Sequence, residues 1–177
     1  MKLFVVCGWL VMLSIKSVMA ESLVPDLRWY IVNDSVMGGI SNSKMTIEQN
    51  EMSFTGQLSL ANNGGFASVR AQLMREMGEQ QQISFKVKGD GRVYQFRLRT
   101  SDRMDGIAYK VEFKTKGNNK WQQFDFNAND FVASFRGRII SNAPRLQFAD
   151  VSQLGFLIAD KNLSPFKLII SDISVSK

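Results

Sequence analysis

Few residues in this chain are able to carry out acid–base or nucleophilic chemistry. It contains no histidine, which removes the Ser-His-Asp triad, histidine general bases and the common zinc sites. Its one cysteine, Cys7, lies within the first twenty residues; once those are gone, no thiolate nucleophile, disulfide or cysteine metal site is left. Any metal would rest on oxygen ligands, as calcium does. No phosphate-cradling Gly-x-x-x-x-Gly-Lys-Ser/Thr run occurs, and no metal or cofactor is assigned. Carboxylate chemistry remains: a glycosidase needs two carboxyl groups about 5 to 9.5 Å apart. Asp34, Glu112, Asp125, Asp150 and Asp160 are the candidates, but no linear spacing joins any two. Sixteen acids on a soluble surface always offer such pairs. The expectation is therefore a protein that binds and is not an enzyme.

Two glycine-bearing segments stand out as binding candidates. The first runs from Trp29 through Asn33, Asp34, Ser35, Gly38 and Gly39 to Ser41. The second runs from Phe54 through Asn62, Gly64, Gly65, Phe66 and Ser68 to Arg70. Paired glycines permit positive φ and close backbone approach, and Asn-Asn before Gly-Gly suits a turn held by side-chain-to-backbone bonds. They read as a ligand loop with exposed amides or as structural turns at one end of a sandwich; the residues favour the turns. Arg97 and Arg99 share a strand face by the period of two. With Arg70, Arg92, Tyr94 and Trp121 they could line a polar groove for an anionic or sugar ligand. The alternative is a solvated face, or a buried arginine paired with Asp34 or Glu112, and it is the favoured one. Phe85, Phe96, Phe113 and Phe156 read as core.

The elements that must hold these residues are strands. Met45–Ile47, Met52–Thr55, Gln57–Leu60, Ile83–Lys88, Val93–Thr100, Ile107–Lys116, Lys120–Phe126, Gln153–Ala159 and Phe166–Val175 are short, apolar or alternating, and divided by Gly, Asn and Asp. Gly89-Asp90-Gly91 and Gly117-Asn118-Asn119 each read as a hairpin turn. Residues 71–82 read as a helical turn or a loop, and 127–149 as an irregular excursion. About nine or ten strands with turns every 8–12 residues predict an antiparallel sandwich or barrel in one domain.

Residues 1–20 read as a secretory signal peptide: Lys2, an apolar run from Leu3 to Ile15, and small residues before a cut after Ala20. The run is shorter than the roughly 18 apolar residues of a membrane span, so no transmembrane helix is expected in the mature chain. Lys2 and Lys16 leave with the segment and no acid does, lowering the net charge from +6 to +4. The remaining basic residues are scattered, so no nucleic-acid partner is expected. Residues 21–177 form the expected domain.

The order Trp29…Asn33-Asp34-Ser35-Val36-Met37-Gly38-Gly39-Ile40-Ser41, then Phe54-x-Gly56-x-Leu58-Ser59-Leu60, then Asn62-Asn63-Gly64-Gly65-Phe66-Ala67-Ser68-Val69-Arg70, resembles the complex I intermediate-associated protein 30 domain. The likeness continues through Gly89-Asp90-Gly91-Arg92, Tyr94, Arg97, Arg99, Trp121, Phe135-Arg136-Gly137, Leu154-Gly155-Phe156 and Asp160-Lys161. It covers about residues 27–175. The resemblance implies an all-β, galactose-binding-domain-like jelly-roll and a non-enzymatic assembly factor; mitochondrial members help build respiratory complex I. It brings no catalytic residue. The leading segment differs from an Arg-rich transit peptide, so the expected setting is the bacterial periplasm, with a protein partner at the cell envelope. The alternative is a carbohydrate-binding module.

Overall fold

Twelve strands build two antiparallel sheets in the computed structural model, which describes residues 22–24, 27–74, 76–79, 82–101 and 106–176. They are β1 (Arg28–Ile31), β2 (Asn42–Glu48), β3 (Glu51–Gln57), β4 (Ala67–Gln72), β5 (Gln82–Gly89), β6 (Val93–Arg99), β7 (Ala108–Lys114), β8 (Gln122–Asn127), β9 (Val132–Phe135), β10 (Arg138–Ile139), β11 (Gln153–Ile158) and β12 (Phe166–Ser176). One sheet has seven strands in the order β1-β4-β11-β6-β7-β9-β10, the other five in the order β2-β3-β12-β5-β8. This is the expected jelly-roll sandwich. The expected signal segment, residues 1–20, lies outside the described residues.

The alternation along each strand decides what the sheets enclose. Ile83, Phe85 and Val87 of β5 point inward against Tyr94, Phe96 and Leu98 of β6, all fully buried. Phe85 sits at the centre, its ring 4.8 Å from Phe96, 5.2 Å from Phe156 and 5.3 Å from Phe113. Edge-to-face and tilted aromatic pairs of this kind add about 0.5–1.5 kcal/mol each beyond the area they bury. The four phenylalanines expected in the core are there. Tyr94 is there too, its hydroxyl donating to Asp90 Oδ2 at 3.0 Å. It therefore faces away from the outer surface and takes no part in the groove that the sequence left open as the less favoured reading.

The turns correct the hairpin reading. Gly89-Asp90-Gly91 joins β5 in the small sheet to β6 in the large one, and Gly117-Asn118-Asn119 carries β7 across to β8 in the same way. Both are corners between sheets. A Cβ on Gly89 would lie 2.4 Å from Thr115 Cβ; the two corners touch there, and Gly91 N–H donates to Thr115 Oγ1. A local hairpin signal reports a reversal of direction, whereas contacts remote in sequence choose the partner strand. The crossing from β11 to β12 is pinned by Arg92. Its guanidinium donates to both Asp160 oxygens and to the carbonyls of Asn162 and Ser164. Burial alone would raise the Asp160 carboxyl, but the Arg92 and Asn162 hydrogen bonds hold it below its usual value.

Two further readings change, and one open alternative narrows. Gln57–Leu60 is not a strand beyond Gln57, because Leu58 turns into the core and Ser59 N–H is drawn to Ser41 Oγ at 2.9 Å. Residues 127–149 hold two real strands, β9 and β10, joined through Arg136 and Gly137 at φ 47° and 81°. Positive φ at both positions is what a two-residue hairpin needs. Among the described residues of 71–82 there is no helical turn; β4 ends at Gln72 and β5 begins at Gln82.

Candidate functional site

The two glycine segments meet at Asp34. This residue is 1% exposed, and its carboxylate accepts Ser41 N–H (2.9 Å), Ser41 Oγ (2.5 Å), Gly65 N–H (2.7 Å) and Phe66 N–H (3.3 Å). Burial pushes this carboxyl upward, yet the hydrogen bonds outweigh it and hold it below its usual value. The glycines follow from the carboxylate: a Cβ on Gly39 would lie 2.4 Å from Asp34 Cγ, and one on Gly64 2.6 Å from Oδ2. Gly38, at φ 89°, closes the 3-10 turn Asp34–Met37 and accepts from Asn62 Nδ2. Asn33 accepts from Ser43 Oγ, and Ser68 donates to the Val32 carbonyl. Trp29 donates to the Val24 carbonyl and stacks on Phe156. These candidates therefore form a knot around buried Asp34, Gly39, Ser41 and Ser68, with Ser35, Gly38 and Asn62 at its exposed rim.

What the knot displays is the middle of its first segment. Val36 and Met37 are 65% and 66% exposed and, with Phe66, wall a cleft of about 550 Å³ on the outer face of the seven-stranded sheet. Phe135 and Arg136, from the β9–β10 hairpin, form the facing wall, and Arg70, Arg97 and Arg99 make the floor. The described lining carries four arginines and no acid. Arg97 Nε and Nη2 both donate to Gln95 Oε1, at 3.0 and 2.6 Å; Gln95 in turn donates to Glu112, which Lys110 also holds. Burial, and next the charge of Arg70, pushes the Arg97 pKa down to about 10, so it stays cationic at neutral pH. Arg70 lies beside Tyr30, whose hydroxyl donates to Gln153, and Arg99 donates to the Gly106 carbonyl.

The structure thus joins Arg70, Arg97, Arg99 and Phe66 in one place, and separates Tyr94 and Trp121 from them. Trp121 leads into β8 of the other sheet, 38% exposed, with Lys88 Nζ 4.3 Å from its ring centre. Among the described residues, neither Asp34 nor Glu112 accepts a hydrogen bond from an arginine, whereas buried Arg92 pairs with Asp160. The five candidate carboxylates are dispersed. Asp34 is in the knot, Asp160 on Arg92, Glu112 on β7, Asp125 on β8, and Asp150 at a separate open depression. No group of three or more potential ligands for a metal ion occurs among the described residues, nor does any helix long and apolar enough to cross a membrane. Sequence reasoning overlooked Val36, Met37, Phe135 and Gly155 as site residues. A glycine inside an apolar strand, as at Leu154-Gly155-Phe156, was the available signal.

The model of complex I intermediate-associated protein 30 (CIA30) matches residues 20–170. The chain belongs to the CIA30 family. Among solved structures, this CIA30 chain is similar to the family 11 carbohydrate-binding module from Clostridium thermocellum in complex with a beta-1,3-1,4-mixed-linked tetrasaccharide. The TM-score is 0.60 at 14% identity, covering 85% of this chain and 88% of that one. The family 11 module of the cellulosomal cellulase Lic26A-Cel5E, also from Clostridium thermocellum, gives 0.60 and 14% over 97% and 96% of the two chains. The agarase AgWH50C gives 0.54 and 9% over 84% of this chain and 22% of that one. At these identities the likeness is one of fold. The CIA30 domain therefore shares the jelly-roll of carbohydrate-binding modules.

Proposed function

We propose that this CIA30 chain is a non-catalytic binding module, exported by its leading segment, whose cleft receives part of a protein partner at the cell envelope. The observation that carries the reading is the cleft's make-up: exposed Val36, Met37 and Phe135 above a floor of arginines. Methionine, aromatic rings and arginine around a concave centre are the chemistry of protein contacts. The knot around Asp34 supports it further, because it spends a buried carboxylate and two glycine pairs on holding two apolar side chains in water.

Photo-crosslinkers at positions 36 and 37 are expected to capture a discrete envelope protein, and one at position 121, on the opposite sheet, is not. Met37→Asp should weaken that capture about tenfold, as loss of a central interface contact does, while leaving the melting temperature within about 2 °C. Equal capture from both faces sinks the proposal. Mass spectrometry of the protein recovered from the envelope should find Glu21 at its N-terminus; an intact residue 1 in the cytoplasm would remove the export step. Hydrolysis assays on a glycan panel should stay blank.

The carbohydrate-binding reading draws on the fold it shares with sugar-binding modules. The cleft chemistry speaks for it less, since Trp121, the exposed tryptophan among the described residues, lies on the far sheet. A glycan-array signal lost in Arg99→Ala and kept in Met37→Asp would favour that reading.

A further inference from the structure

Strand register sets Gly155 of β11 directly between Arg70 of β4 and Arg97 of β6. A glycine weakens a central strand because it has no side chain to pack, yet nothing larger fits here. A Cβ on Gly155 would lie 2.4 Å from the Val69 carbonyl oxygen and 3.2 Å from Arg70 Cγ. The Arg70 stem lies over the glycine, and its charge reaches Arg97, whose own guanidinium ends on the neutral amide oxygen of Gln95. Beside the glycine is a notch of about 10 Å³, bounded by Ser68, Arg70, Arg97, Arg99, Gln153 and Gly155. That is room for about one water-sized atom. The notch shares its three arginines and Leu157 with the larger cleft, and so forms its base.

Two partly desolvated guanidiniums in one trough repel each other, and an anion shared between them reverses the sign of that interaction. We infer that the cleft takes an acidic side chain of the protein partner, an aspartate or glutamate whose carboxylate seats on Arg70 and Arg97 over Gly155. The inference rests on the protein-partner reading and names the chemistry of the segment that docks. A planar carboxylate matches the arginine fork, and one of its oxygens suits the notch. Val36, Met37 and Phe135 stand over the same floor, so the residues flanking the acid are apolar. A free phosphate or a sugar acid would leave those walls uncovered.

Random heptapeptides displayed against the full chain provide the test. Peptides retained by the wild type and lost on Met37→Asp define binders directed to the cleft. These should carry an Asp or Glu beside apolar residues. Replacing that acid by its amide should weaken binding about tenfold, the scale of one charge-assisted hydrogen-bonded contact. On Arg97→Gln the acid and amide peptides should bind alike; Arg70→Gln serves the same purpose should Arg97→Gln melt early. Trp121→Ala should bind as the wild type does. Cleft-directed binders without an acid, or an acid-to-amide loss of equal size on both chains, overturn the carboxylate seat and leave the protein-partner reading standing. If no peptide is cleft-directed, both fall; inorganic phosphate or oligogalacturonate bound by the wild type and not by Arg97→Gln would then identify a free anion or an acidic sugar as the occupant.

Discussion

Asp34→Ala lowers the unfolding free energy by about 3–4 kcal/mol in urea denaturation at pH 7. The buried carboxylate serves the N–H groups of Ser41, Gly65 and Phe66 and the Ser41 hydroxyl. Without it these donors lose their acceptor in a place water reaches poorly, and each such loss costs about 1–3 kcal/mol, not additively. The effect has a pH signature. Asp34 is held below its usual 3.8 in the folded protein, so its contribution is complete above that value. It fades as pH falls through the lower folded pKa. The gap between wild type and Asp34→Ala should therefore be full at pH 7 and close in acid below the ordinary carboxylate range. A gap of constant size down to pH 2 would show that Asp34 acts by packing alone. Gly39→Ala should destabilise the wild type and do so less in an Asp34→Ala background, since the Cβ it adds collides with the Asp34 carboxyl group. Capture through Val36 and Met37 should be lost with the knot, even where the remaining sandwich stays folded.

Arg92→Gln is expected to cost about 2–4 kcal/mol, the range for removing one partner of a mostly buried ion pair. Arg92 is 8% exposed, and its guanidinium makes four hydrogen bonds that tie the β5–β6 corner to the β11–β12 crossing. Its raised pKa, owed first to the Asp160 hydrogen bond, keeps it charged over any working pH. Asp160, held below 3.8, contributes fully above that value and loses its contribution as pH falls through its folded pKa. Thermal melts of Arg92→Gln, Asp160→Asn and the double variant should show coupling of more than about 0.5 kcal/mol. Strict additivity would mean that the pair does not act as one unit. The cleft should survive in Arg92→Gln, because Ala159 alone of its described lining lies in that crossing, while Arg70, Arg97 and Arg99 sit within the seven-stranded sheet.

The aromatic alternation of Ile83–Lys88 and Val93–Thr100 is a property of neighbouring residues, and it foretold strands, their buried faces and a sandwich. The absence of histidine is likewise complete in the composition, and it removed whole classes of chemistry without any geometry. The glycine pairs announced a special backbone, and the fold brings both pairs to the knot at Asp34. Their local chemistry did not say that an aspartate thirty residues upstream of Gly64 was the object they accommodate. Strand partners were beyond local reasoning for the same cause: Gly89-Asp90-Gly91 reverses the chain in either a hairpin or a corner, and contacts with Thr115 and Lys167 decide which. Arg97 and Arg99 share a face by period alone, but Arg70 joins them only through the register of β11, and Trp121 is sent to the other sheet by the crossing of β7 to β8. The types of group available were therefore set by the sequence itself. Which of them meet was decided by pairings between distant strands, whose energies arise only when the two sheets close on a common core.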